Sequence, residues 1–140
     1  MSRMFAAVAL VLVACLSFAV PAALASKCAP PPPPAEAMGK CDAVFLGKVT
    51  AVERGDRSIR VTIAVEKSWK GDAKAELVVS TGMDGGDCGY GFQQGKSYVV
   101  YAYARDKGLS TGTCSRTCHV DEAGEDLKAL GEGKKPAAEK

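Results

Sequence analysis

The sequence predicts a small all-β domain: five strands in a Greek-key barrel or sandwich, with one short helix near the C-terminus. Three observations carry that expectation. Ile59, Val61, Ile63 and Val65 alternate with Arg60, Thr62, Ala64 and Glu66. A period of two marks a strand with one buried face. Turn pairs at Gly55-Asp56, Gly71-Asp72 and Lys107-Gly108 separate short apolar, β-branched runs. Helical spacing occurs only near residues 125–130, at Leu127 and Leu130, and Gly131 and Gly133 stop it.

The chain opens with a positive residue, Arg3, then an almost continuously apolar run over residues 4–20. Ala23-Leu24-Ala25 supplies a small-x-small cleavage pattern, so residues 1–25 read as a signal peptide removed after Ala25. The run is about 17 residues, shorter than a membrane span needs, so no membrane span is expected. Leu12-Val13-Ala14-Cys15 fits a lipobox, and a lipoprotein anchored through Cys15 is the rival reading. The apolar core continuing over residues 16–24 favours cleavage after Ala25 and a secreted or periplasmic product. Residues 26–120 then form the barrel domain, and residues 121–140 a short helix and a disordered tail.

The chain carries 18 basic and 16 acidic residues, a formal net charge of +2, of which Arg3 leaves with the signal peptide. That balance exerts no broad pull on nucleic acid or anionic membrane. Residues 30–34 are five consecutive prolines, which read as an extended, stiff N-terminal arm of polyproline II type. Strands are expected over residues 44–52, from Ile59 to Trp69, over 77–79, over 98–103 and over 109–113. Residues 82–95 form a glycine-rich loop, and the tail is expected to begin at Lys134.

Six cysteines stand at positions 15, 28, 41, 88, 114 and 118. Export implies an oxidising compartment and disulfides, and loss of Cys15 leaves an odd number. Cys114-Ser115-Arg116-Thr117-Cys118-His119 approaches a c-type haem motif but has three residues between the cysteines instead of two. Haem also needs a deep apolar pocket, and a β-rich pattern shows no helices to build one. One histidine without a paired C-x-x-C does not make a zinc site. Gly95-Lys96-Ser97 ends like a P-loop, but Tyr90 stands where its first glycine belongs and a strand follows. Asp84 and Asp87 flank two glycines, and two carboxylates are too few for calcium. No serine sits in a nucleophile elbow, and no activated thiol is marked. The expectation is a non-enzymatic protein without cofactor.

Cys88-Gly89-Tyr90, Phe92, Gly95, Tyr98, Leu109 and Thr113-Cys114-Ser115 together resemble the N-terminal domain of the tissue inhibitors of metalloproteinases. Cys28-Ala29-Pro30-Pro31 is similar to that family's Cys-Val-Pro-Pro, and Asp42-Ala43-Val44-Phe45-Leu46-Gly47-Lys48-Val49 to its first barrel strand. Residues 61–71, ending Trp69-Lys70-Gly71, resemble the shorter bacterial members. The resemblance covers residues 26–120. It implies an NTR-like, OB-type five-stranded Greek-key barrel stapled by disulfides. It also implies inhibition of a zinc metalloprotease, in which the α-amine and carbonyl of the first mature residue ligate the protease's zinc. The next side chain enters the specificity pocket. The corresponding residues are Ser26, Lys27 and Cys28, with Cys88, Gly89 and Tyr90 as the adjacent loop. The family begins Cys-x-Cys where this chain has Ser26-Lys27-Cys28, so the tether from the first residue to Cys88 is absent. The resemblance implies a Cys28–Cys114 bridge. Cys41 lies close to another of the family's cysteines, and Cys118 is its candidate partner here, although the family's partner lies further along the chain. That leaves Cys88 available for an intermolecular bond such as a disulfide-linked dimer. Cys28–Cys88, with Cys114 free, is the rival pairing. Such barrels also bind single-stranded nucleic acid, and Tyr90, Phe92, Tyr98, Tyr101 and Tyr103 supply rings. Charge balance and export argue against it, leaving a cell-envelope or extracellular binding module as the alternative to inhibition.

Overall fold

A computed structural model describes residues 28–72, 74–83 and 88–137. Five strands, β1 (Ala43–Arg54), β2 (Ser58–Lys70), β3 (Glu76–Gly82), β4 (Ser97–Arg105) and β5 (Gly108–Ser110), close into a barrel in the order β1-β2-β3-β5-β4, with β4 returning to β1. All neighbours are antiparallel except β3 and β5, which run parallel through Val79 opposite Leu109 and Ser80 opposite Ser110. This is the OB-type arrangement the resemblance implied. A two-residue strand, β6 (Cys118–His119), adds to the N-terminal half of β4. Helix α1 (Pro34–Lys40) precedes the barrel; a 3-10 turn (Val120–Glu122) and helix α2 (Gly124–Leu130) follow it. Among the described residues no helix is long and apolar enough to cross a membrane.

Two apolar clusters account for the patterning. Inside the barrel lie Phe45, Val49, Val61, Ile63, Val65, Val79, Tyr98 and Val100. Outside β1 and β4, Val44, Leu46, Val99 and Tyr101 pack against Ala37 of α1 and Ala123, with Leu127 and Leu130 of α2 joining them. β2 alternates because its outer face is wet. β1 and β4 read as unbroken apolar runs because helices cover their outer faces. At about 25 cal/mol per Å² of apolar surface, that second layer is what holds both helices to the barrel.

Helix α1 was not expected. The extended arm reaches only to Pro33 (φ −52°, ψ 155°), and Pro34 opens the helix. Proline is compatible with the first helical position because its missing N–H has no intrahelical acceptor there. Ala35, Glu36, Ala37 and Met38 then favour helix. Glu36 and Lys40 pair at 2.7 Å, one turn apart, each at the helix end its charge suits.

Near residue 68 β2 has a free edge, and the C-terminal segment fills it. Ser68 N–H donates to Lys134 O (2.8 Å), Lys134 N–H donates back (2.7 Å), and Trp69 Nε1 donates to Gly131 O (3.0 Å). Lys134 is therefore ordered rather than the start of a disordered tail. β5 stops at Ser110 instead of reaching Thr113, because the chain turns away to form the 111–117 loop. Gly47 lies where β1 bends between register shifts, and a Cβ there would sit 2.5 Å from Ile63 Cγ2 and 2.6 Å from Ala64 O.

Between β5 and β6 the outer edge of β4 has no strand partner at Tyr101. Hydroxyls replace it. Tyr101 N–H donates to Thr117 Oγ1 (3.0 Å), and Thr111 Oγ1 donates to Tyr101 O (2.8 Å). Ser115 Oγ lies 3.0 Å from Thr111 Oγ1 and 2.8 Å from Thr117 Oγ1, closing the cluster. Replacing Thr117 with the isosteric Val strands the buried Tyr101 N–H. The expected loss is about 1–3 kcal/mol in urea denaturation; a loss below roughly 0.3 kcal/mol would mean that water serves the N–H equally well.

Candidate functional site

The 111–117 loop, fixed to Tyr101 by those hydroxyls, gathers the N-terminal arm and the Cys88-Gly89-Tyr90 segment. Cys28 is bridged to Cys114 across a sequence separation of 86. The rival Cys28–Cys88 pairing is thus not the one formed. Thr113, between the two segments, donates its N–H to Cys88 O (2.9 Å) and its hydroxyl to the same oxygen (3.3 Å). Cys28 Sγ lies 3.9 Å from Thr113 Oγ1. Two close approaches pack the segments: a Cβ on Gly112 would meet Cys88 O at 2.7 Å, and one on Gly89 would collide with Gly82 O. Cys88 has φ 52°, the one positive value at a non-glycine among the described residues. It is exposed.

Tyr90 N–H donates to Thr81 Oγ1 (2.7 Å). The Tyr90 ring packs on Phe92 at 4.7 Å and edge-on to Tyr98 at 5.8 Å, and Tyr98 continues to His119 at 5.4 Å. These contacts anchor the loop to the barrel end. Burial, with the Cys118 and Tyr98 groups nearby, pushes the Tyr90 phenol up to about 12, so it stays neutral.

A second fixing point was not foreseen. Arg116 Nη1 donates to Pro32 O (3.1 Å) on the arm. The same guanidinium grips Asp126 through Nε (2.7 Å to Oδ1) and Nη2 (3.0 Å to Oδ2), and reaches Glu125 at 3.2 Å. Tyr101 OH donates to Asp126 Oδ1 at 2.6 Å. Asp126 is 2% exposed. Burial alone would raise its carboxyl, but the Arg116 and Tyr101 hydrogen bonds outweigh burial and hold it below the usual carboxylate range. Both fixing points of the arm, Cys114 and Arg116, therefore belong to one loop. In the sequence Arg116 stood inside the haem-like motif, and only an unpaired charge beside two cysteines signalled it.

Ser26 and Lys27, the residues expected to meet a protease zinc, lie outside the described residues, as do Asp84 and Asp87. Cys28, to which Lys27 is joined, is exposed. The expected Cys41–Cys118 bridge is not made; both are free thiols. Cys41 caps α1 and donates to Met38 O (3.5 Å), an orientation set by a helix the sequence reading missed. Burial, opposed by Lys70, pushes its thiol up. Cys118 lies on β6 opposite Val99, and burial pushes its thiol up to about 11. Cys114, bonded to Cys28, has no sulfur left for haem attachment.

Cys88, Cys114 and Arg105 line a cavity of about 350 Å³ beside the loop, with Tyr103, Thr111 and Ser115. The arm is held at two points, Cys28 on Cys114 and Pro32 on Arg116, with a packed loop next to its exposed end. No family model matches the chain, and no curated protein matches it.

Proposed function

We propose that this is an exported, non-enzymatic inhibitor of zinc metalloendopeptidases that acts through Ser26, Lys27 and Cys28. The observation that carries the reading is the double fixation of the arm, Cys28 on Cys114 and Pro32 on Arg116, beside the Cys88-Gly89-Tyr90 loop. A terminus preorganised in this way loses little entropy on binding. Removal of residues 1–25 would place an α-amine on Ser26, two residues from the bridge. A neutral amine and the Ser26 carbonyl oxygen are competent to displace the water from a catalytic zinc with an open position. Lys27 would then point into the target's specificity pocket, which favours a protease with an acidic or polar pocket, since an unpaired buried ammonium costs several kcal/mol.

The test is a panel of zinc endopeptidases assayed with mature protein whose N-terminus has been sequenced. Inhibition at micromolar protein or below is expected. One extra residue before Ser26 should abolish it by displacing the amine, and Lys27→Leu should tighten it toward proteases with apolar pockets. No inhibition across the panel sinks the reading.

A second reading is a binding module for the cell envelope. It is favoured by a groove of about 450 Å³ over β2, β3 and β5, where Arg60, Lys107, Ser58 and Ser80 surround Val78 and Leu109. Among the described residues its lining includes two cations and no carboxylate, which suits an acidic polysaccharide. Retention on such a polymer, lost in Arg60→Ala/Lys107→Ala, together with no protease inhibition, would select it.

A further inference from the structure

The three free thiols among the described residues are not equivalent. Cys41 is buried and hydrogen-bonded to Met38 O. Cys118 is half-buried on β6, with Tyr90, Asp126 and Glu122 around it. Thiols in such places are inert. Cys88 is exposed, and its carbonyl oxygen is held by the N–H and hydroxyl of Thr113, the residue before Cys114. Cys88 and Cys114 line one cavity, and Arg105 lines it with them. A solvent-accessible thiol thus stands beside a disulfide on a loop that the hydroxyl cluster keeps in place.

We infer that Cys88 and the Cys28–Cys114 bridge form a disulfide-exchange site, in which Cys88 attacks Cys114 and releases Cys28. The Cys88 thiol gives its proton to water, and its sulfur electron pair forms a bond to Cys114 Sγ. The Cys114–Cys28 bond breaks, its electron pair leaves on Cys28 Sγ, and that sulfur takes up a proton. One disulfide and one thiol enter and leave, so no oxidant or reductant is consumed. Cys114 is the sulfur attacked because Cys114 lines the same cavity as Cys88, and its neighbour Thr113 is hydrogen-bonded to Cys88 O. The reaction is intramolecular, so its rate is independent of protein concentration. The folded arm already holds Cys28 on Cys114, so the exchanged form is the minor one. In that minor form Cys28 is released, and Arg116 still holds Pro32 O. The chemistry is independent of whether the chain inhibits a protease.

The full mature chain, purified without reductant, is held at pH 8.5, quenched in acid, alkylated with a maleimide, digested and mapped by mass spectrometry. A Cys88–Cys114 peptide with maleimide on Cys28 is expected to grow to a plateau that does not depend on protein concentration, and to be absent in Cys88→Ser. In Cys28→Ser, mild oxidation should form Cys88–Cys114 as the main bridge. The inference is overturned if Cys88 stays fully alkylated with only Cys28–Cys114 present. It is equally overturned if Cys28–Cys88 is the exchanged product, or if Cys28→Ser gives no Cys88–Cys114.

Discussion

Replacing Asp126 with Asn is expected to lower stability by about 3–5 kcal/mol, the usual cost of breaking a buried ion pair from one side. For a domain of this size that corresponds to a fall in melting temperature of roughly 12 °C or more. The substitution removes the charge that faces Arg116 Nε at 2.7 Å and Nη2 at 3.0 Å and that accepts from Tyr101 OH. Arg116, with its side chain 13% exposed, keeps Pro32 O and, as its charged partner among the described residues, Glu125, whose side chain is 71% exposed. Water screens that remaining pair, which offsets little of the loss. The acid dependence follows from the same geometry. The folded-state carboxyl of Asp126 is depressed below its ordinary value of 3.8. Its stabilisation is therefore fully present above that value and is lost as pH falls through the lowered one. The gap between wild type and variant should be flat near neutrality and should narrow only in strong acid. A variant within about 1 kcal/mol of wild type at pH 7 would show that the pair is not worth its desolvation.

The second large effect is expected from Cys28→Ser combined with Cys88→Ser, which removes the bridge and denies Cys114 a substitute partner. A crosslink across 86 residues restricts the unfolded chain by about 4–5 kcal/mol in the loop-entropy account. Urea denaturation of the double variant should show a loss of that order, and Cys88→Ser alone should show little. If the double variant loses less than about 1 kcal/mol, the unfolded chain is already compact near the arm. The two large predictions act on the arm from different sides. Loss of Asp126 loosens the grip of Arg116 on Pro32, whereas loss of Cys28 frees the exposed end. Reduced protease inhibition in both variants, with the barrel still folded, would tie the proposed activity to arm rigidity.

Much of the barrel was legible. β2 could be read outright because a one-sided strand writes its burial into alternate residues. The runs that became β1 and β4 were recognisable as strands, but nothing in them said that their outer faces were covered. That information lies in Ala123, Leu127 and Leu130, far along the chain, and in Ala37, on a helix that the proline run disguises. The five-proline run hides the start of α1, although Pro34 followed by Ala-Glu-Ala-Met carries a helix-start signal. The orientation of Cys41 depends on the same helix. At the site, the residues singled out around Cys28, Cys88 and Cys114 do converge. Arg116, Asp126, Thr113 and the Thr111-Ser115-Thr117 hydroxyls were not singled out, since each looks like an ordinary surface residue until the loop folds over Tyr101.

By itself the sequence determined the strand-rich architecture, the turns between strands and the presence of cysteines suited to stapling an arm. These follow from local rules: period, turn chemistry and residue type act over a few neighbours. Only the tertiary structure decided which cysteines bond, which thiol is exposed, and how the arm is held. Those outcomes depend on distances between segments up to 86 residues apart, and on a gap in the barrel edge that side-chain hydroxyls, rather than another strand, fill at Tyr101.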